Sequence, residues 1–247
     1  MRLILPTAFA ALFALSCAAA RADYITDYVH AEVGIGAAAY VRGPDGLWAQ
    51  NGFPHELKLT APAVSVGFTG DLYQAERWGV SWHTDWVWLG TVHTDAMVPS
   101  ANTNTTSGHW QGADLVGVNT HDPCSGPCHN LSRFMGSGHD QGFALTIEPH
   151  YDYMGWRFGV EAGPYVHRST WSEDVINWVS MPGAEPTNIH VEYKPEWRLG
   201  WVVGASVRYR NFGISYRYFQ NKIAGTGSNP YNPIWNGTHA LMATYRF

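Results

Sequence analysis

The chain ends His239-Ala-Leu-Met-Ala-Thr-Tyr-Arg-Phe247, and the alternation within this stretch decides how the rest is read. In an extended strand successive side chains point to opposite faces, so Leu241, Ala243, Tyr245 and Phe247 share one apolar face while Arg246 lies on the other. The same period of two recurs upstream, giving eight segments in all: 28–41, 57–69, 78–90, 142–153, 156–167, 197–209, 212–220 and 238–247. Each has at least the roughly 9 to 11 residues with which a tilted strand crosses a bilayer.

The connectors separate a barrel from a soluble sandwich. They alternate long and short: 42–56 long, 70–77 short, Thr91 to Gln141 long, a turn at Met154-Gly155, Arg168 to Glu196 long, a turn at Arg210-Asn211, then 221–237. Outer-membrane barrels alternate short periplasmic turns with longer external loops, and an even strand count returns both termini to the same side. The faces have the matching polarity. Phe143, Leu145, Ile147 and Tyr151 oppose Thr146, Glu148, His150 and Asp152; Leu199, Trp201, Val203, Ala205 and Val207 oppose Arg198, Ser206 and Arg208. The segments 28–41 and 156–167 repeat the pattern, whereas in 78–90 Val87 and Leu89 fall on the otherwise polar face. The expected fold is an all-β, transmembrane, antiparallel up-and-down β-barrel, greasy outside and polar inside. Eight strands are expected, or ten if a hairpin lies around Gly112 to Asn119.

Composition agrees. Twelve Trp, thirteen Tyr and ten Phe beside only 14% charged residues make a chain rich in rings and poor in charge for a water-soluble domain. Aromatic residues near segment ends, among them Trp78, Tyr153, Trp156, Trp197, Tyr209 and Phe212, suit the two membrane interfaces. No window after the N-terminus has the roughly 18 apolar residues of a membrane helix. A net charge of −5 without a Lys/Arg cluster excludes a nucleic-acid partner. At the start, Met1-Arg2, an apolar run from Leu3 to Leu15 and Ala20-Arg21-Ala22 have the layout of a signal peptide cleaved after Ala22, leaving 23–247 as one domain. Leu15-Ser16-Cys17 could also be read as a lipoprotein site, although the usual Leu three before the Cys is Ala14.

Several groups could carry chemistry. The inward charges Glu32, Asp85, Glu148, Asp152 and Glu161 against Arg198, Arg208, Arg217 and Arg246 are expected to pair across a lumen that side chains nearly fill. Glu148 and Glu161 could act as an acid/base pair only if substrate entered that lumen. His83, His150 and His167 share the inner face with carboxylates; hydrogen bonding accounts for them as well as a metal does, and no metal or cofactor is expected. Cys124 and Cys128, within His121-Asp-Pro-Cys124-Ser-Gly-Pro-Cys128-His129, are expected to form a short disulfide in an oxidising compartment, with a zinc site as the competing reading.

The terminal stretch, with Phe247 last and Tyr245 two before it, resembles the assembly signal of bacterial outer-membrane barrels. That resemblance implies an exported protein of the bacterial outer membrane, with the barrel assembly machinery and outer-membrane lipid, lipopolysaccharide included, as partners. The architecture is similar to the transmembrane domain of outer-membrane protein A and its small relatives, which implies a non-enzymatic structural or surface-interaction role through loops 91–141 and 168–196. Their ligand is not written in the residues. The alternatives are a narrow small-solute channel or a lipid A-modifying enzyme. For the last, Phe212-Gly-Ile-Ser-Tyr-Arg217-Tyr218-Phe219-Gln220-Asn221 resembles the end of the outer-membrane lipid A deacylases. In that family a His-X-Ser pair followed by Asn, with a Glu on the last strand, forms a triad. Here Tyr218 and Gln220 hold the His and Ser positions, only Asn221 persists, and the last strand offers Thr238 or His239 but no carboxylate.

Overall fold

A computed structural model of the chain describes residues 29–42, 55–99, 131–178, 185, 187–192, 196–221 and 235–247, all of them in strands, tight turns or their flanks. The strands are β1 (His30–Arg42), β2 (His55–Lys58), β3 (Thr60–Gln74), β4 (Trp78–Pro99), β5 (Leu131–Tyr153), β6 (Trp156–Trp178), β7 (Thr187–Glu192), β8 (Trp197–Tyr209), β9 (Phe212–Gln220) and β10 (Trp235–Arg246). Eight of them form a ring in chain order, β1–β3–β4–β5–β6–β8–β9–β10, every pair antiparallel. The terminal strand closes it on β1, with Val33 opposite Tyr245 and Ala37 opposite Leu241. The expected antiparallel up-and-down barrel of eight strands is therefore the observed one, and closure leaves the ring without an open edge.

Following the registers once round the ring from His30 returns to β1 at Tyr40, a stagger of ten residues. In a ring of eight such a stagger tilts the strands by about 40°. The outer wall is apolar: Leu199 is 74% exposed and Ile35 66%, in company with Phe143, Leu145, Ile147, Val160 and Ile214. One girdle of rings circles the end that carries the tight turns, with Tyr73 on Trp78, Trp156 on Tyr209, and Tyr245 between Phe212 and Phe247, all with centroids 4.9 Å apart. At the other end Phe143 stacks on Trp197. From Trp197 to Tyr209 along β8, rises of ~3.3 Å tilted at ~40° cover about 30 Å, the thickness of a bilayer's hydrocarbon core. Among the described residues no helix is long and apolar enough to cross a membrane; this fold would cross with strands.

Three strands run about ten residues past the segments that the sequence pattern implies. β4 runs on to Pro99, β5 begins at Leu131 and β6 continues to Trp178, so both ends of the expected loop 91–141 and the start of 168–196 are strand. β2 pairs with β4 on one side of this extension and β7 with β6 on the other. The result is a five-stranded external sheet, β2–β4–β5–β6–β7, standing on one side of the ring. The extension starts at a bulge. The register of β4 shifts between Trp88 and Thr91, and Gly90 sits there at φ 75°, a conformation an L side chain rarely takes. The expected signal segment, Cys17, Cys124, Cys128 and Gly112 to Asn119 lie outside the described residues.

Candidate functional site

The lumen has two layers of opposite chemistry. Toward the tight-turn end it is ionic. Arg217 sits between two carboxylates, Nε 2.6 Å from Glu161 Oε1 and Nη1 2.8 Å from Asp85 Oδ2, while Thr146 donates a further bond to Glu161. Arg208 pairs with Glu32. His83 lies 3.3 Å from Glu148, whose Oε2 also accepts from Ser206 at 3.0 Å. All these charged groups are buried. Alternation explains the gathering: each side chain has inward parity on its own strand, and the ring turns all eight inner faces to one axis.

Three of the charges expected there stand apart. Asp152 lies at the tight-turn mouth, bonded to Arg157 at 3.0 Å, and Arg157 also holds Asp71 at 2.9 Å. Arg198 is at the opposite rim, 3.7 Å from Glu196. Arg246 reaches Thr69 at 3.1 Å. Arg157 was missed by sequence reasoning although its parity matches Glu161 and His167, which was the available signal. The three inner histidines are dispersed: His83 at Glu148, His150 between Ser81 and Gln74, and His167 2.8 Å from Asp140. Among the described residues no group of three or more His, Cys, Asp or Glu could hold a metal. Glu148 and Glu161 occupy separate hydrogen-bond clusters, the first with His83 and Ser206 and the second with Arg217 and Thr146.

Toward the external end the lumen is apolar. Val87, Leu89, Val202, Phe219, Tyr165 and Met242 are fully buried, and above them Tyr40 meets Trp235 at 4.8 Å and Trp235 meets Trp171 at 5.9 Å. The two apolar residues that interrupt the polar face of β4 thus belong to this plug. Where plug and external sheet meet, Asp140 is wholly buried without an arginine. Tyr165 Oη donates to it at 2.7 Å and His167 Nδ1 lies 2.8 Å away; Ser169 donates as well. Its backbone N–H donates to Tyr40 Oη at 3.0 Å, and Tyr40 in turn donates to the carbonyl of Gly90 at the bulge. The carboxylate of Asp140 so ties β5 to β6, and its backbone N–H links the pair through Tyr40 to β1 and β4. Sequence reasoning did not find it, because Asp140 lay in an expected loop.

On the lipid-facing wall Tyr216 and His239 share a 2.6 Å hydrogen bond, with the Tyr218 ring 4.9 Å from His239. Asn221 points inward and bonds Thr238. Of the positions matched to the deacylase triad, Tyr218 stands in place of the histidine and Gln220 in place of the serine, while Asn221, which follows them, is a buried amide.

Above the rim the outward face is polar. His139 shares a 2.9 Å bond with Thr170; burial holds it below the ordinary histidine value, Asp140 pulling it up and Arg168 pushing it down again. Arg133 forks onto Asp95, and His190 lies 2.7 Å from Asp174. Between these pairs is a recess of about 380 Å³ running across β2, β4, β5 and β6.

No family model matches the chain and no curated protein does. Among solved structures it is similar to Ail, the attachment invasion locus protein of Yersinia pestis. In complex with the heparin analogue sucrose octasulfate, Ail is 12% identical, with a TM-score of 0.38 over 89% of this chain and 99% of that one. Without the analogue it is 11% identical, at 0.36 over 90% and 99%. In a phospholipid bilayer nanodisc it is 14% identical, at 0.28 over 88% and 99%.

Proposed function

We propose that this is a bacterial outer-membrane protein whose closed, plugged barrel serves as a rigid stem, and whose function is to present the five-stranded sheet and its connecting loops above the outer leaflet. The observation that carries this reading is the contrast along β4, β5 and β6. Within the ring they are apolar outward, as lipid requires; beyond it they are polar outward, as water requires. A sheet reaching roughly 20 Å past the rim has no role in closing the barrel. The apolar plug of Trp235, Trp171, Phe219 and Leu89 counts against a solute channel. The lack of a serine–histidine–carboxylate chain on the described lipid-facing wall counts against deacylation.

The reading is tested in a Gram-negative host. Fractionation should recover the chain in outer membranes as a band whose gel mobility changes on boiling. Lipid A mass spectra should be the same with and without it, and planar bilayers should show no conductance steps. A change in lipid A acylation would replace this reading with the enzyme; stepwise conductance would replace it with the channel.

A further inference from the structure

Along β5 the outward residues run Ile147, Leu145, Phe143 and then Gln141, His139, Ser137. Along β6 they pass from Val160 and Val166 to Arg168, Thr170 and Ser172, and along β4 from Trp82, Trp86 and Trp88 to Thr91, His93 and Asp95. The change falls on one register line, Trp88 opposite Gln141 opposite Arg168 opposite Trp197. Trp88 and Trp197 lie on that line and Phe143 stacks on Trp197, so the line crosses the upper edge of the hydrocarbon. The strands do not break there. The face that meets acyl chains below must meet, above, the polar part of the same leaflet.

The recess lies on that face. Ser137 and Ser172 form its centre, their hydroxyls 3.3 Å apart with either able to donate. Asp95 and Asp174 flank them, held by Arg133 and His190 respectively, and Glu56, Lys58 and His93 close the side along β2. Its volume of about 380 Å³ falls at the small end of ligand pockets, which run from ~300 to ~1,000 Å³. Three carboxylates, of which Asp95 is already paired with Arg133, beside one lysine offer no cationic cradle for a phosphate but accept hydrogen bonds from hydroxyl or amino groups. The strand continuity selects a ligand in the same leaflet over a soluble one.

From this we infer that the recess binds unphosphorylated sugar residues of an outer-leaflet glycolipid such as lipopolysaccharide. The inference rests on the outer-membrane reading above and adds the ligand class and its site.

The probe is a dephosphorylated lipopolysaccharide core oligosaccharide, titrated by calorimetry against the full protein in phospholipid nanodiscs. The wild type should bind it. Ser172→Trp, which fills the recess from an outward strand position, should weaken binding about tenfold or more, and Ser172→Ala should cause a smaller loss. Inorganic phosphate should neither bind nor compete. Undiminished binding by Ser172→Trp, competition by phosphate, or no oligosaccharide binding by a wild type that keeps its heat-modifiable band would each overturn the inference while leaving the barrel reading intact. A wild type that shows no heat-modifiable band and does not enter nanodiscs would remove both. The same gel assay on each variant separates loss of binding from loss of fold.

Discussion

The barrel and the sheet above it share three long strands, yet their faces have opposite polarity. In the barrel part of β5, Phe143, Leu145 and Ile147 are exposed while Thr146, Glu148 and His150 are buried. In its external part the buried residues are Phe134, Gly136 and Gly138, and the outward ones are Arg133, Met135, Ser137 and His139, all but Met135 polar. No register slip separates the two along β5; the medium on the outside changes and the residue types follow it. Alternation reports that a strand is present, whereas the sign of the alternation reports its solvent. Asp140, at the change of sign, is polar on the buried side and is satisfied by neutral donors and a histidine instead of an arginine.

If the barrel interior is held by charge and the junction with the sheet by ring packing, one substitution in each should separate them. Arg217→Met strands Asp85 and Glu161 in a buried site, and removing one partner from a buried ion cluster costs about 3–5 kcal/mol. The urea midpoint of the barrel in detergent or lipid should fall accordingly, and adding Asp85→Asn and Glu161→Gln should restore much of it. A single variant as stable as the wild type would mean that the cluster does not hold the ring.

Trp171→Ala should do less to the ring and more to the sheet. The indole lies over Gly136 and Gly138, where an added Cβ would come within 2.4 Å and 2.5 Å of it, and it abuts Trp235. Its loss leaves a cavity worth about 3 kcal/mol. Limited proteolysis should cut the variant within 131–140 while its heat-modifiable band persists. Cleavage equal to wild type would show that the sheet stands without this contact.

The same contrast explains what could be read beforehand. The ring was legible because lipid outside and ions inside give each strand two unlike faces, and its tight turns at Met154-Gly155 and Arg210-Asn211 stand where the pattern breaks. The external sheet was not legible. Water on one side and small residues on the other erase the alternation, and Gly136 and Gly138, which look like loop residues, are required by the close approach of Trp171. Val87 and Leu89 looked like faults in a polar face because the apolar cluster that needs them is assembled from seven other strands. Asp140 and its partners, Tyr40, Tyr165, His167 and Ser169, come from three strands and have no signature in any one of them.

The smallest expected effect is the sharpest test, because it uses the same chemistry in the other region. Arg133 grips Asp95 much as Arg217 grips its partners, with Nε 3.0 Å from Oδ1, but the two side chains are 53% and 41% exposed where those of Arg217 and Asp85 are each 4%. Asp95 holds the guanidinium of Arg133 above its already high value, so the guanidinium stays charged at any ordinary pH. In water, charge attraction is offset by hydration and by the entropy of fixing two mobile side chains, and such pairs contribute roughly 0–1 kcal/mol. Arg133→Gln should therefore leave the urea midpoint within error of wild type at both low and high salt. If it moved the midpoint as far as Arg217→Met, the external sheet would be drier than its polar face implies, and the assignment of water to that face would have to be given up.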